Sequence, residues 1–177
     1  MAISSITITN DRLQNQSFTQ GYYDSDMALI SRKDSDLTGL ADMEGRVVGA
    51  LAASTGEKWI GENTETYGFG EYRSYNTQQN LLLDVQSGRL DGAVGDILGF
   101  QFAFENMPTM HVVERIVAGD RYGIMMAKGS PLLERVNAAI TEMKEDGTLA
   151  EIYRKHIGSE PHADSSTVNI LPIPQAE

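Results

Sequence analysis

Three short stretches of the sequence carry residues that together would bind a small zwitterion. Arg12 follows a run of serines and threonines at the end of a β-branched stretch. A guanidinium there offers two parallel N–H donors to a carboxylate, and neighbouring hydroxyls complete the clamp. Ser54-Thr55-Gly56 opens a helical pattern, and a helix start presents N–H groups to an anion. Asp96 closes a strand pattern, where ligand-facing residues of open α/β sheets lie, and its carboxylate would take an ammonium. Singly, each signal is weak. A lone arginine is usually a surface residue, an aspartate after a strand usually forms a turn, and Ser-Thr before a helix is usually only a cap.

The elements that must carry these residues alternate. Residues 3–9 are β-branched and read as a strand that turns at Asn10-Asp11, with Arg12 just past its end. Residues 27–32 read as a second strand, 33–44 as a polar loop or short helix, and 47–53 as a buried strand leading to Ser54. Glycine-rich 61–70 reads as a loop. Asn76 and Gln79 have capping-box spacing ahead of a helix bearing Leu81, Leu82 and Val85, which stops at Ser87-Gly88. Residues 90–95 form a strand pattern ending in Asp96; 111–117 and 121–127 read as two more. Ser130-Pro131 opens a helix with Leu133, Val136, Ile140 and Met143 on one face, and Thr148 with Glu151 repeats capping-box spacing for a last helix closed by Gly158. Residues 159–177 read as a tail with an apolar run at 168–173. Strands alternating with helices predict an α/β fold with a parallel-rich sheet.

The composition narrows the function classes. A formal net charge of −11 disfavours nucleic acid as a partner, since affinity for phosphates needs a basic face. The sequence contains no cysteine, which removes disulfides, thiolate metal sites and cysteine nucleophiles. His111, His156 and His162 lack metal-ligand spacing and fit no Ser-His-Asp order, so neither metal nor catalytic residues are expected. No phosphate loop or dinucleotide fingerprint is present, so no cofactor is expected. Trp59, Phe100, Phe102 and Phe104 read as core or loop anchors. No stretch approaches the ~20 apolar residues of a membrane span, and Met1-Ala2-Ile3-Ser4-Ser5 has no export-signal pattern.

Order and spacing of several separated motifs join these pieces. Ser4-Ser5-Ile6-Thr7-Ile8-Thr9-Asn10-Asp11-Arg12, then Phe18 and Tyr22-Tyr23, resembles the arginine-bearing stretch of the polar-amino-acid-binding proteins of ABC transporters, the extracellular (periplasmic) solute-binding proteins of family 3. Ala28 to Ser35, Gly45 to Gly49 with Ser54-Thr55-Gly56, Leu83 to Asp96, Tyr122-Gly123-Ile124, and Asp146 to Gly158 follow in the same order. The resemblance spans about residues 3–158. It implies a type II periplasmic-binding-protein-like α/β fold of two lobes, with Arg12 clamping the ligand α-carboxylate helped by Thr7, Ser5, Ser54 and Thr55, and Asp96 holding the α-ammonium. It further implies a free amino acid as ligand, a membrane permease as partner, a periplasmic or extracytoplasmic location, and no catalysis.

Against that pattern the chain starts at the arginine stretch. Residues 1–30 and 118–158 would make a partial first lobe, 31–117 a complete second lobe, and 159–177 a C-terminal tail. An incomplete lobe leaves apolar faces uncovered, so a homo-oligomer or a domain swap is expected, with 168–173 as a candidate donated edge strand. Two alternatives stand beside the transport reading: a self-associating remnant or sensory domain, and a dehydratase-like enzyme on the same scaffold.

Overall fold

The structure is a computed structural model that describes residues 1–176. Its elements run α1 (Asn10–Asn15), β1 (Gln16–Phe18), β2 (Tyr23–Arg32), a 3-10 turn (Leu40–Met43), β3 (Val47–Leu51), α2 (Thr55–Tyr67), β4 (Glu71–Tyr75), α3 (Gln78–Gln86), β5 (Gly92–Asp96), α4 (Ile97–Phe104), β6 (Met110–Tyr122), β7 (Met125–Ala127), α5 (Leu133–Glu145) and α6 (Thr148–Ile157). The chain divides into two compact units, one of Asp26–Ala118 and one of Met1–Ser25 with Gly119–Glu177. Among the described residues no helix is long and apolar enough to cross a membrane.

The unit 26–118 is organised by a five-stranded sheet ordered β4-β3-β5-β2-β6. β3 pairs in parallel with both β4 and β5, while β2 runs antiparallel to β5, so the sheet is mixed. Successive strand residues face opposite sides, and the apolar runs divide accordingly. Met27, Leu29, Val48, Ala50 and Val94 join one core with Ile60 of α2 and Leu40 and Met43 of the 3-10 turn. Ala28, Ile30 and Ala93 join the other with Leu81, Leu82 and Val85 of α3 and Phe100 of α4. Helices on both faces explain why β2 reads as an unbroken hydrophobic run rather than an alternation.

In the other unit, β1 pairs antiparallel with β7, Ser17 opposite Met126. Ile124, Met126 and Ile140 form its small core, against which Tyr22, Leu133 and Val136 pack. A polar knot ties it together. Gln20 is fully buried; its Nε2 donates to Thr141 Oγ1 at 2.8 Å, and its Oε1 accepts from Lys144 Nζ at 2.7 Å and from Leu171 N at 2.9 Å. The Lys144 ammonium also donates to Gly21 O at 2.7 Å and Asn169 O at 2.8 Å, so α5, the β1–β2 link and the tail converge on one nitrogen.

Several expectations are corrected. Residues 3–9 are not a strand: Ala2 and Thr7 make single bridges to Met125 and Tyr122, and the chain bends between them at Ser4-Ser5, where Ile6 N–H turns back to Ser4 O at 2.8 Å. Arg12 lies on the short helix α1. Residues 61–70 are mostly helix, because Gly61 is tolerated in open space and α2 ends only at Gly68, which takes the left-handed conformation at φ +65°. Thr77, not Asn76, caps α3, accepting from Asn80 N. Gly147 precedes α6 without a side-chain cap; Asp146 Oδ1 accepts from Thr148 N at 2.8 Å instead. The two strands expected at 111–117 and 121–127 are one long β6 and a short β7, since Gly119 at φ +66° lets β6 run on through Ala118-Gly119-Asp120. Helices α1 and α4 and strands β1 and β4 escape the sequence patterns. The 168–173 run forms no strand within the chain. The tail is fastened to its own unit through Asn169 and Leu171, Ser166 N–H on Asp24 Oδ2 at 2.9 Å, and Thr167 Oγ1 on Tyr22 O at 3.2 Å.

Burial pushes the Lys144 ammonium down to about 8, with Asp24 opposing that shift and Arg121 reinforcing it. The unfolded chain keeps this proton up to the ordinary lysine range, near ~10.4. The cost of burying the charge is therefore fully present below about pH 8 and is relieved as pH rises toward ~10.4. Relative to Lys144→Met, the wild type is expected to gain ~1–3 kcal/mol between these limits, read as the difference in urea unfolding free energy near pH 7 and near pH 10.

Candidate functional site

Within the unit 26–118, parallel pairing of β3 and β5 puts their carboxyl ends at the same edge of the sheet. Beyond β3 the chain makes a tight bend into α2. Ser54 caps that helix: its Oγ accepts from Glu57 N at 3.2 Å and donates to Leu51 O at 2.7 Å. Thr55 is the first helical residue. Gly56 brings the first turn of α2 onto β5, since a Cβ there would sit 2.4 Å from Val94 O and 3.1 Å from Gly95 Cα. Asp96 follows immediately. Ser54, Thr55 and Asp96 thus gather where two strand ends and a helix N-terminus meet.

Asp96 also has a structural task. Its Oδ1 accepts from Gly99 N at 2.8 Å, capping α4, and Gln78 at the start of α3 donates to Gly99 O at 2.9 Å. The positive ends of α2 and α4 therefore both lie beside the Asp96 strand end.

In the unit that begins the chain, Thr9 caps α1 by accepting from Arg12 N at 3.3 Å. Half-buried Arg12 donates from Nη1 to Thr7 O at 2.8 Å, which fixes one edge of the guanidinium against the segment that carries Ser5 and Thr7. Thr7 is buried and Ser5 exposed. Desolvation lowers the Arg12 pKa and Asp120 counteracts it; an arginine still keeps its charge at any physiological pH. The structure thus assembles Arg12, Thr7 and Ser5 in one unit and Ser54, Thr55 and Asp96 in the other. Among the described residues no group of three or more His, Asp and Glu side chains could hold a metal ion.

Sequence reasoning passed over Glu57. Its Oε2 accepts from Ala53 N at 2.6 Å, and its Oε1 accepts from Tyr72 OH at 2.7 Å and Ser74 Oγ at 3.2 Å, both on β4. The Tyr72 hydroxyl first, then the Ala53 N–H and Ser74, hold this carboxyl below its usual range. The signal was present, because Ser54-Thr55-Gly56-Glu57 has the spacing of a capping box.

The pattern of bacterial extracellular solute-binding proteins, family 3, matches residues 1–159. The chain belongs to this family. It is 31% identical over 156 residues to the ABC transporter arginine-binding protein 1 of Escherichia coli, covering 85% of this chain and 63% of that protein. It is 30% identical to the histidine-binding periplasmic protein of Salmonella typhimurium, covering 87% of this chain and 63% of that one. Among solved structures, the arginine-, lysine-, histidine-binding protein ArtJ of Geobacillus stearothermophilus matches with a TM-score of 0.81 at 26% identity, over 92% of this chain and 71% of that one. An ancestral arginine-binding protein bound to arginine matches with a TM-score of 0.77 at 30% identity, over 85% and 68%. The fold is that of the type II periplasmic binding proteins. The chain spans 63–65% of the length of the first curated relatives it matches, and these relatives are named as binding proteins.

The helix–strand contact at Gly56 generates a paired expectation. Gly56→Ala forces the α2 N-terminus away from backbone atoms that cannot yield, costing ~1–3 kcal/mol. Gly61→Ala, in the same helix but facing open space, stabilises by ~0.5–1 kcal/mol. Chemical denaturation of both variants measures the contrast.

Proposed function

We propose that this chain recognises a free amino acid as the substrate-binding component of an ABC-type uptake system. The observation that carries the reading is the gathering of Ser54, Thr55 and Asp96 at the adjoining ends of β3, β5 and α2. On this reading the unit 26–118 is the second lobe and the other unit belongs to the first. Arg12 takes the ligand carboxylate in a two-donor clamp, with Thr7 and Ser5 beside it, and the Ser54-Thr55 helix end offers N–H groups to an anion. Asp96 takes the ammonium, and binding is recognition without chemistry.

Basic amino acids are the preferred candidates. Relatives are named for arginine, lysine and histidine, and a net charge of −11 draws a cationic ligand in. The same relatives support an extracytoplasmic location and a membrane permease as partner.

Calorimetric titration with L-arginine, L-lysine and L-histidine tests the reading. Arg12→Ala should weaken binding at least ~10-fold, the worth of a lost charge-assisted hydrogen bond. Asp96→Asn is the sharper variant, since asparagine caps a helix as well as aspartate does. It should leave stability nearly unchanged while weakening binding ~10-fold or more through the lost charge. Wild-type affinity in either variant would remove that residue from the site.

Self-association belongs to the same proposal. Ile3, Ile152 and Ile170 are exposed in the unit of residues 1–25 and 119–177, and on this proposal a second copy covers them. Native mass spectrometry is expected to find a dimer; a uniform monomer would refute this part alone.

A further inference from the structure

Ala53 has φ +56° and is the one non-glycine with positive φ among the described residues. An L side chain in the left-handed region is strained, and such strain persists only where the surroundings hold it. Here the surroundings are specific. The amide of Ala53 donates to Glu57 Oε2 at 2.6 Å, while Glu57 Oε1 is fixed to β4 by Tyr72 and Ser74. On either side of Ala53, the Ala52 amide donates to Tyr75 O at 2.9 Å and the Ser54 amide to Leu51 O at 3.3 Å. The strained residue thus immediately precedes Ser54 and Thr55.

We propose that Glu57 is a positioning residue for the ligand: its carboxylate holds Ala53 left-handed, so that Ser54 and Thr55 are presented before any ligand arrives. This rests on the amino-acid-binding reading above and deepens it. A plain capping carboxylate would need only the helix N-terminus; this one reaches back to a residue ahead of the cap and is itself anchored to a neighbouring strand. Freed from it, Ala53 would relax toward an ordinary φ. The binding-competent bend would then be a minority conformer, and apparent affinity falls by the fraction lost.

The test uses the full chain and three variants, Glu57→Ala, Ala53→Gly and the double variant, each titrated with L-arginine, L-lysine and L-histidine well below its unfolding temperature. Amide hydrogen exchange at Ala53 is followed in parallel without ligand. Glu57→Ala is expected to bind ~10-fold more weakly, the equivalent of releasing one left-handed alanine, with faster exchange at Ala53. Ala53→Gly alone should bind within a few-fold of wild type. In the double variant glycine reaches φ +56° without strain, so affinity should return most of the way. A capping or packing role for Glu57 gives no such rescue. Glu57→Ala at wild-type affinity, or a double variant no better than Glu57→Ala, overturns the proposal. If wild type binds none of the three amino acids, the assigned function fails and the role in binding fails with it; unchanged Ala53 exchange in Glu57→Ala sinks the clamp whatever the ligand.

Discussion

The unit 26–118 depends on how closely a helix can approach a strand end. Gly56 is buried against Val94 and Gly95, and any side chain there would meet backbone rather than a movable neighbour. That contact fixes where α2 begins, and with it the positions of Ser54 and Thr55 relative to Asp96. The two cores on either face of the sheet then follow from strand alternation. The close approach of α2 to β5 at Gly56 thus sets the spacing of the polar residues at these strand ends.

Two of the polar groups serve two masters. Asp96 ends β5 and caps α4; Ser54 ends the β3 bend and caps α2. A capping side chain has its rotamer set by the helix it serves, so reusing it at a site costs little additional conformational entropy on ligand binding. The bland reading of each residue, a cap, and the functional one are thus compatible. This is why either residue alone said so little in the sequence.

Strands β2, β3 and β5 and helices α3 and α5 were legible because their patterns are strong: the apolar run of β2, Leu81, Leu82 and Val85 on α3, and the face of α5 bearing Leu133, Val136 and Ile140; polar β4 and the second half of α2 were not. What escaped depended on contacts remote in sequence. Residues 3–9 have strand composition, yet their partners at 121–125 pair with them only at isolated points around the Ser4-Ser5 bend. α4 is apolar nearly throughout and so shows no amphipathic period. Gly61 and Gly68 look alike in sequence, but one sits within a helix and the other ends it. The candidate residues Arg12, Ser54, Thr55 and Asp96 were found through spacing and family resemblance, whereas Glu57 needed the third dimension to connect it with Ala53 and β4.

The polar knot around Lys144 reaches past the stretch that the family pattern covers. The family pattern matches residues 1–159, but Ser166 and Thr167 are buried, the Asn169 carbonyl accepts from the Lys144 ammonium and the Leu171 amide donates to Gln20. Homology and folding therefore draw different borders. An excision at residue 159 would leave the Lys144 ammonium short of an acceptor and strip a donor from Gln20, so the segment past the family match takes part in folding its unit.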